Sequence, residues 1–343
     1  MFPPRRPKRK KRANNKTMKT SYSYDNVFLI PQYSDLSSRS EADTSTRFGD
    51  WNLKIPLISA PMDTVSGSEM CIALWLYGAL GTLHRFMPIN ENVRQYRNVK
   101  KMGANCIVSI GVEEESKQRF SELYEIGARA VCIDIAHGHS KKMKDMIGWV
   151  KNNFKETYVV AGNVATKDGV YELANWGADI VRVGIANGSA CETKKVTGHS
   201  VPQFSCILEC SLAADEMNVK LIADGSIKTS GDALKAFVAG SDYVMVGGLL
   251  AGTDEAPGDI IAPGDGFKYK TFRGASSRDV ILANRTNKDF IPASEGLSTR
   301  ILLKGPVKII LDEFQKGIQS GMSYMNARKL EEIGSKGLWG VVG

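Results

Sequence analysis

Short apolar runs rich in β-branched residues recur from Leu57 onward: Leu57–Ala60, Leu80–His84, Asn105–Gly111, Ala130–Ile135, Thr157–Asn163, Ile180–Ile185, Lys220–Asp224 and Asp242–Gly248. Most intervals hold a stretch with helical periodicity, such as Glu114–Gly127, Ser140–Phe154, Thr166–Trp176 and Thr229–Ala239. Continuous apolar strands alternating with amphipathic helices predict a parallel sheet covered by helices, because a strand buried on both faces has no polar side. The eight runs match the count of a (β/α)8 TIM barrel. Gly127-Ala128, Gly177-Ala178 and Gly240-Ser241 each stand just before a strand, where a helix-ending glycine belongs. An open doubly wound sheet would want a glycine fingerprint after its first strand, and this chain has Ala60-Pro61-Met62-Asp63 there.

Composition changes this picture only at the amino end. The chain has 343 residues, enough for two domains, but α/β barrels commonly use about 250 residues as one. Its net charge of +8 comes from residues 1–17, which hold eight Lys/Arg and no acid. Without those eight, the 45 basic residues fall to 37, equal to the 37 acidic ones. With three prolines and almost no apolar content, residues 1–17 are expected to be a disordered basic tail, and residues 18–343 a single barrel domain. The tail reads as a solvated leader or an upstream extension of a chain that starts at Met18, or else as a nucleic-acid contact or nuclear-import signal, and it is the only part of the chain suited to nucleic acid. The longest apolar stretch, Cys71 to Leu83, has 13 residues, short of the roughly 20 that span a membrane. Six sparse cysteines and no apolar signal peptide make a reducing, cytoplasmic setting the expectation.

In such a barrel, chemistry belongs to the residues just after each strand, on the C-terminal face. Here those are Met62-Asp63, His84-Arg85, Asp134–Ser140, Asn163, Ala186–Thr193, Asp224-Gly225 and Gly247-Gly248. The sixth strand run leads into Gly184-Ile185-Ala186-Asn187-Gly188-Ser189-Ala190-Cys191-Glu192-Thr193. Small residues let backbone N–H groups approach an anion, and a cysteine ending such a loop is a candidate nucleophile. A packed cysteine in a flexible loop remains the other reading. Gly247-Gly248 could add amides to an anion site. Cys206 and Cys210 lie one helical turn apart without a second pair of ligands, so they do not suggest zinc.

Several segments resemble the IMP dehydrogenase/GMP reductase family of purine-nucleotide oxidoreductases. They are Ser59-Ala60-Pro61-Met62-Asp63-Thr64-Val65, Asp134–Ser140, Ala161-Gly162-Asn163-Val164, Gly188–Thr193, Thr197-Gly198, Pro202-Gln203, Ala223-Asp224-Gly225, Phe272–Ser277 and Ser294-Glu295-Gly296. The resemblance implies that Cys191 attacks C2 of the purine to form a covalent thioimidate. It implies that Ser189, Gly247 and Gly248 hold the 5′-phosphate, and that Asp224 accepts from the ribose, with Gly225 and Ser226 beside it. Gly274, Ala275, Ser276, Ser294 and Gly296 would line the base. Asp134, Ile135, Ala136, Ile185 and Ala186 would face the nicotinamide side of NADPH, with Ser38, Arg39 and Arg85 toward the rest of the dinucleotide. Backbone carbonyls of Ala186, Gly188, Cys191 and Lys194 would hold a monovalent cation such as K+. Homotetramers are typical of the family.

Two features separate its branches. Dehydrogenases usually insert a regulatory CBS domain of about 120 residues after the second strand, whereas here the third strand follows Arg85 within about 20 residues, so no insert fits. Dehydrogenases also hydrolyse the thioimidate with an Arg-Tyr pair on a mobile flap. The stretch Arg278 to Ile291, within a flap spanning about 265–300, is short and lacks Arg-Tyr. Reductases instead pair a Thr two residues after the cysteine with a Glu, and Thr193 and Glu295 occupy those positions. The resemblance therefore implies an NADPH-dependent GMP reductase, converting GMP to IMP and ammonia. The alternatives are an IMP dehydrogenase without regulatory domain, making XMP from IMP and NAD, or an inactive nucleotide-binding barrel with a nucleic-acid-binding tail. Departures include Ala186-Asn187 for the usual Gly-Pro, Lys194 for Arg, Ile291-Pro292 for Tyr-Arg and Gln319 for Arg. Glu192 places a carboxylate beside the nucleophile, which on its own would raise the thiol's pKa.

Overall fold

A computed structural model of the protein describes residues 20–283 and 291–343. The basic tail, residues 1–17, lies outside the described residues, as do flap residues 284–290. Eight parallel strands form one sheet: β1 (Leu57–Ser59), β2 (Gly81–Leu83), β3 (Cys106–Ile110), β4 (Ala130–Asp134), β5 (Tyr158–Val164), β6 (Ile180–Val183), β7 (Lys220–Asp224) and β8 (Tyr243–Val246). From β2 to β8 each pairs with its neighbour in sequence, and β8 returns to pair with β1 through Val244↔Leu57. The seam between β1 and β2 closes by the bridge Ile58↔Leu80, where Ser59 N donates to Leu80 O at 3.0 Å. The barrel expected from the eight apolar runs is therefore present, and each strand falls inside its run or within one residue of it.

The outer helices are α1 (Ser68–Leu76), α2 (Ile89–Lys101), α3 (Glu114–Glu125), α4 (Lys141–Asn153), α5 (Lys167–Asn175), α6 (Gln203–Met217), α7 (Ser230–Val238) and α8 (Val307–Ser323). Three start where a hydroxyl residue precedes the periodic stretch. Ser140, Thr166 and Thr229 accept from Met143 N, Gly169 N and Asp232 N at 3.4, 3.1 and 3.2 Å, caps worth about 1 kcal/mol each. Strand alternation divides the apolar residues into two layers. On β4, Val131 and Ile133 pack outward against the helices, while Ala130 and Cys132 point into the barrel.

Ile58, Leu80, Ile107, Val160, Ile222 and Met245 fill the barrel interior, so it is a packed core rather than a pore. Its amino end is closed by a hairpin that strand periodicity did not predict, Thr46–Phe48 against Trp51–Leu53. The Phe48 ring stacks on Trp51 and meets Tyr158 and Tyr243, the first residues of β5 and β8. Phe48 is wholly buried. Phe48→Ala is expected to destabilise the fold by about 3–5 kcal/mol, because the barrel end cannot collapse onto the vacated volume. Tyr33→Ala, at a side chain 85% exposed, should change stability by less than about 0.5 kcal/mol. Urea denaturation of the two variants compares them directly.

Between β8 and α8 the chain leaves the barrel to form a second hairpin, β9 (Tyr269–Arg273) antiparallel to β10 (Ser298–Leu302). Lys270 is buried and fixes its base by donating to the carbonyls of Thr253, Asp254 and Ala256 at 3.0, 3.0 and 2.6 Å. Arg273 Nε donates to Asp63 Oδ2 at 2.8 Å, which ties β9 to the loop after β1. The hairpin thus hangs from two charged side chains over the carboxyl ends of the strands. Finally, Val27–Leu29 pairs antiparallel with Trp339–Val341 on the outside of the barrel.

Candidate active site

A cavity of about 900 Å³ opens at the carboxyl end of the barrel, between the strand-end loops and the β9–β10 hairpin. The loop after β6 forms one wall. Gly184, with φ +138°, starts it in a conformation that a side chain could not share, since a Cβ would lie 2.0 Å from Asp224 O. The chain then turns through Ala186, at φ 63°, and closes on Gly188 O, which accepts from Cys191 N at 3.0 Å. Asn187 braces this turn by donating to Val201 O at 2.9 Å and to Gln203 Oε1 at 2.6 Å.

Backbone pairing brings the hairpin segment to the loop. Leu297 N donates to Ala190 O at 2.9 Å and Glu192 N to Glu295 O at 2.7 Å. That register sets three side chains in line although Glu295 is 102 residues beyond Thr193. The Cys191 thiol donates to Thr193 Oγ1 at 3.2 Å, and Thr193 Oγ1 donates to Glu295 Oε2 at 2.7 Å. A proton can pass along that line between a sulfur and a carboxylate. Glu192 turns to Lys195 Nζ at 2.6 Å, so its charge does not face the thiol uncompensated.

The opposite wall is acidic, with Arg182 set between its carboxylates. Asp224, ending β7, receives Asn163 Nδ2 at 2.7 Å and Arg182 Nε and Nη2 at 3.0 and 2.9 Å, all on Oδ2. Arg182 Nη1 pairs with Asp134 Oδ1 at the end of β4. Burial works against the Arg182 charge, but Asp224 and Asp134 outweigh it and hold the group protonated. Gln203 is buried below, donating to Val183 O and Asp224 O at 3.0 Å.

At the loop after β8, a Cβ on Gly248 would lie 2.9 Å from Ser189 Oγ, so the β6 and β8 loops meet there. Lys304 Nζ donates to Gly248 O and Leu249 O at 2.7 and 2.9 Å, and burial lowers its pKa. Arg85 lies across the cavity, its guanidinium 4.7 Å from the Phe86 ring and its Nη2 donating to Asp134 O at 3.3 Å.

The cavity gathers most of the residues singled out from sequence. Cys191, Thr193, Glu295, Ser189, Asp224, Gly225, Ser226, Gly247, Gly248, Gly274, Ala275, Ser276, Arg85, Asp134, Ile135, Ala136, Ile185, Ala186 and Gly188 all line it. Ser294 and Gly296 stand one layer back: the Ser294 hydroxyl donates to Gly296 O at 3.2 Å, and Gly296 bridges to Cys191 and Ser277. Ser38 and Arg39 are not brought to this wall; they form an exposed turn in which Ser38 Oγ accepts from Ser40 N at 3.2 Å. Lys194 also lies outside the lining, on the short helix Thr193–Thr197, its carbonyl accepting from Gly198 N at 3.1 Å. Arg182 and Lys304 were absent from the residues singled out from sequence, and Gln203 entered only within the segment Pro202-Gln203, without a role. A lone arginine inside the apolar run Ile180–Ile185 was the available signal, since an unpaired charge is rarely buried.

His84, at the end of β2, is structural. Its Nδ1 accepts from Phe86 N at 3.2 Å, and burial pushes its pKa down to about 4. The folded protein therefore binds fewer protons here than the unfolded chain. Stability from this group is full above pH ~6.5 and is lost as pH falls toward 4, amounting to about 3 kcal/mol. Urea midpoints between pH 7 and 4.5 should fall less steeply for His84→Gln than for the natural protein; parallel slopes would refute this assignment.

Comparison with known proteins places the chain among related sequences and folds. A family model described as the IMP dehydrogenase/GMP reductase domain matches residues 21–339. GMP reductase of Albidiferax ferrireducens is 34% identical over 91% of this chain and 93% of that protein. Inosine-5′-monophosphate dehydrogenase of Aquifex aeolicus is 28% identical over 94% and 93% respectively. Among solved structures, GMP reductase from Trypanosoma brucei in complex with guanosine 5′-monophosphate superposes with a TM-score of 0.89 at 25% identity, covering 95% of this chain and 96% of that one.

Proposed function

Because the chain belongs to the IMP dehydrogenase/GMP reductase family, we propose that it is a GMP reductase, converting GMP to IMP and ammonia with NADPH. The observation that carries this reading is the line from Cys191 through Thr193 to Glu295, with spacings of 3.2 and 2.7 Å. Cys191 Sγ adds to C2 of the purine, and the thiol proton moves through Thr193 and Glu295 to the 2-amino group. Protonation makes ammonia the leaving group, so the C2–N bond breaks and a thioimidate at C2 remains. NADPH, when bound, supplies the reducing equivalent to C2. The C2–S bond then breaks, the thiolate leaves, and it takes up a proton through the same line.

The other residues bind and orient. Asp224 accepts from the ribose hydroxyls through Oδ1, because its Oδ2 already takes three donor contacts. Ser189, Gly247 and Gly248 hold the 5′-phosphate where the two loops meet. The dinucleotide fits the Arg85–Asp134–Ala136 side. Arg85 Nε and Asn163 Oδ1 are buried there without a partner among the described residues, a donor and an acceptor suited to a polar ligand. Carbonyls of Ala186, Gly188, Cys191 and Lys194 are the oxygen donors a K+ ion would take, the Gly188 and Lys194 oxygens each keeping a second lone pair beside the amide they accept. Exposed apolar side chains in and beside the terminal sheet, among them Phe28 and Leu338, are suited to a subunit contact, which the homotetramer of this reading requires. All six cysteines are free thiols, which supports a cytoplasmic setting.

The test follows absorbance at 340 nm in two mixtures, GMP with NADPH and IMP with NAD+. Loss of absorbance in the first, with one ammonia released per NADPH, is expected. A gain in the second with none in the first would replace the reductase by a dehydrogenase.

A further inference from the structure

Among the described residues, Arg182 is the cation on the acidic cavity wall that touches both strand-end carboxylates, and the mechanism above does not use it. It is 8% exposed and sits inside the barrel mouth, where a Cβ on Gly162 would meet its own Cβ at 2.7 Å. Its guanidinium is divided: Nε and Nη2 hold Asp224 Oδ2, and Nη1 holds Asp134 Oδ1. The Nη1 edge also reaches Cys132 Sγ at 3.9 Å. Two carboxylates facing one cavity with one guanidinium between them leave a net negative charge, so neither pair is independent of the other.

We propose that Arg182 is a positioning residue shared by two ligand sites, fixing Asp224 for the nucleotide and Asp134 for the dinucleotide, so that the two binding events are coupled through it. This rests on the preceding assignment of Asp224 to the ribose and Asp134 to the nicotinamide side. A ligand hydroxyl that takes up one carboxylate changes that carboxylate's hold on the guanidinium, and the planar fork transmits the change to the other. Lysine cannot do this, because its single ammonium reaches one carboxylate at a time and has no fixed fork.

The experiment measures NADP+ binding by calorimetry with and without saturating GMP, a pair that cannot complete turnover because it holds no reducing equivalent. For the natural chain, GMP is expected to change the NADP+ Kd by about fivefold or more, and NADP+ to change the GMP Kd by the same factor. In Arg182→Lys each ligand still binds alone, but the ratio falls to within about twofold of one. A ratio unchanged in Arg182→Lys, or no coupling in the natural chain, overturns the proposal. If Arg182→Lys does not fold, Asp134→Asn serves instead. It leaves Asp224 to carry the whole guanidinium charge and should weaken GMP binding about threefold or more, although Asp134 does not contact GMP. An unchanged GMP Kd in that variant overturns the coupling. If neither GMP nor NADP+ binds the natural chain alone, the reductase reading itself fails, a result distinct from normal binding without coupling.

Discussion

Cys191→Ala is expected to lower GMP turnover by about 10⁴-fold or more, because Cys191 is the only thiol among the described residues that line the cavity, and the variant loses the nucleophile that forms the bond at C2. The nucleotide should still bind within about threefold of its usual affinity, since Asp224 and the Gly247-Gly248 loop are untouched and the alanine removes only one sulfur from the lining. Steady-state rates and calorimetry with GMP separate the two effects. A variant that keeps a tenth of the activity would mean that Cys191 is a packed residue of a loop and that C2 is attacked by something else. Loss of binding together with turnover would mean that the thiol holds the loop rather than reacting.

Glu295→Gln comes second in magnitude. The amide keeps the size of the side chain and can still accept from Thr193, and the pairing of Glu192 N with residue 295 is backbone only. What disappears is a carboxylate able to take and return a proton, worth about 10²–10⁴-fold in kcat. Nucleotide affinity should stay within about threefold. Thr193→Val interrupts the same line at its middle, so the double variant should be little worse than either single one. Multiplying effects would show that the two residues act separately, and the 3.2 and 2.7 Å contacts would then be incidental to proton transfer.

The barrel was legible because its signal is local and repeated. Runs such as Ala130–Ile135 are apolar on both faces, and hydroxyl caps such as Thr166 and Thr229 mark where the next helix begins. The reactive line was legible only through resemblance. Nothing in spacing joins Thr193 to Glu295, which meet because β9 and β10 bring the chain back over the barrel. The closing hairpin at Thr46–Leu53 was missed because each strand is three residues long, too short for alternation to register. Ser38 and Arg39 show the reverse case. A motif position carried over by resemblance sits, within this one chain, on an exposed turn away from the cavity lining. Arg182 carries a signal inside its apolar run, but only the fold shows the two carboxylates that compensate it.

The outer pairing of Val27–Leu29 with Trp339–Val341 joins segments far apart in sequence: Val27 lies opposite Val341 and Leu29 opposite Trp339. On the ribosome, Val27–Leu29 therefore waits unpaired until Trp339–Val341 has been synthesised, and β1 waits likewise for β8. The same geometry makes the molecule suited to circular permutation. A short linker from Val341 to Val27 would join positions that already pair, and a chain opened in the exposed turn after α2, at Gly103, would leave every described barrel pairing intact.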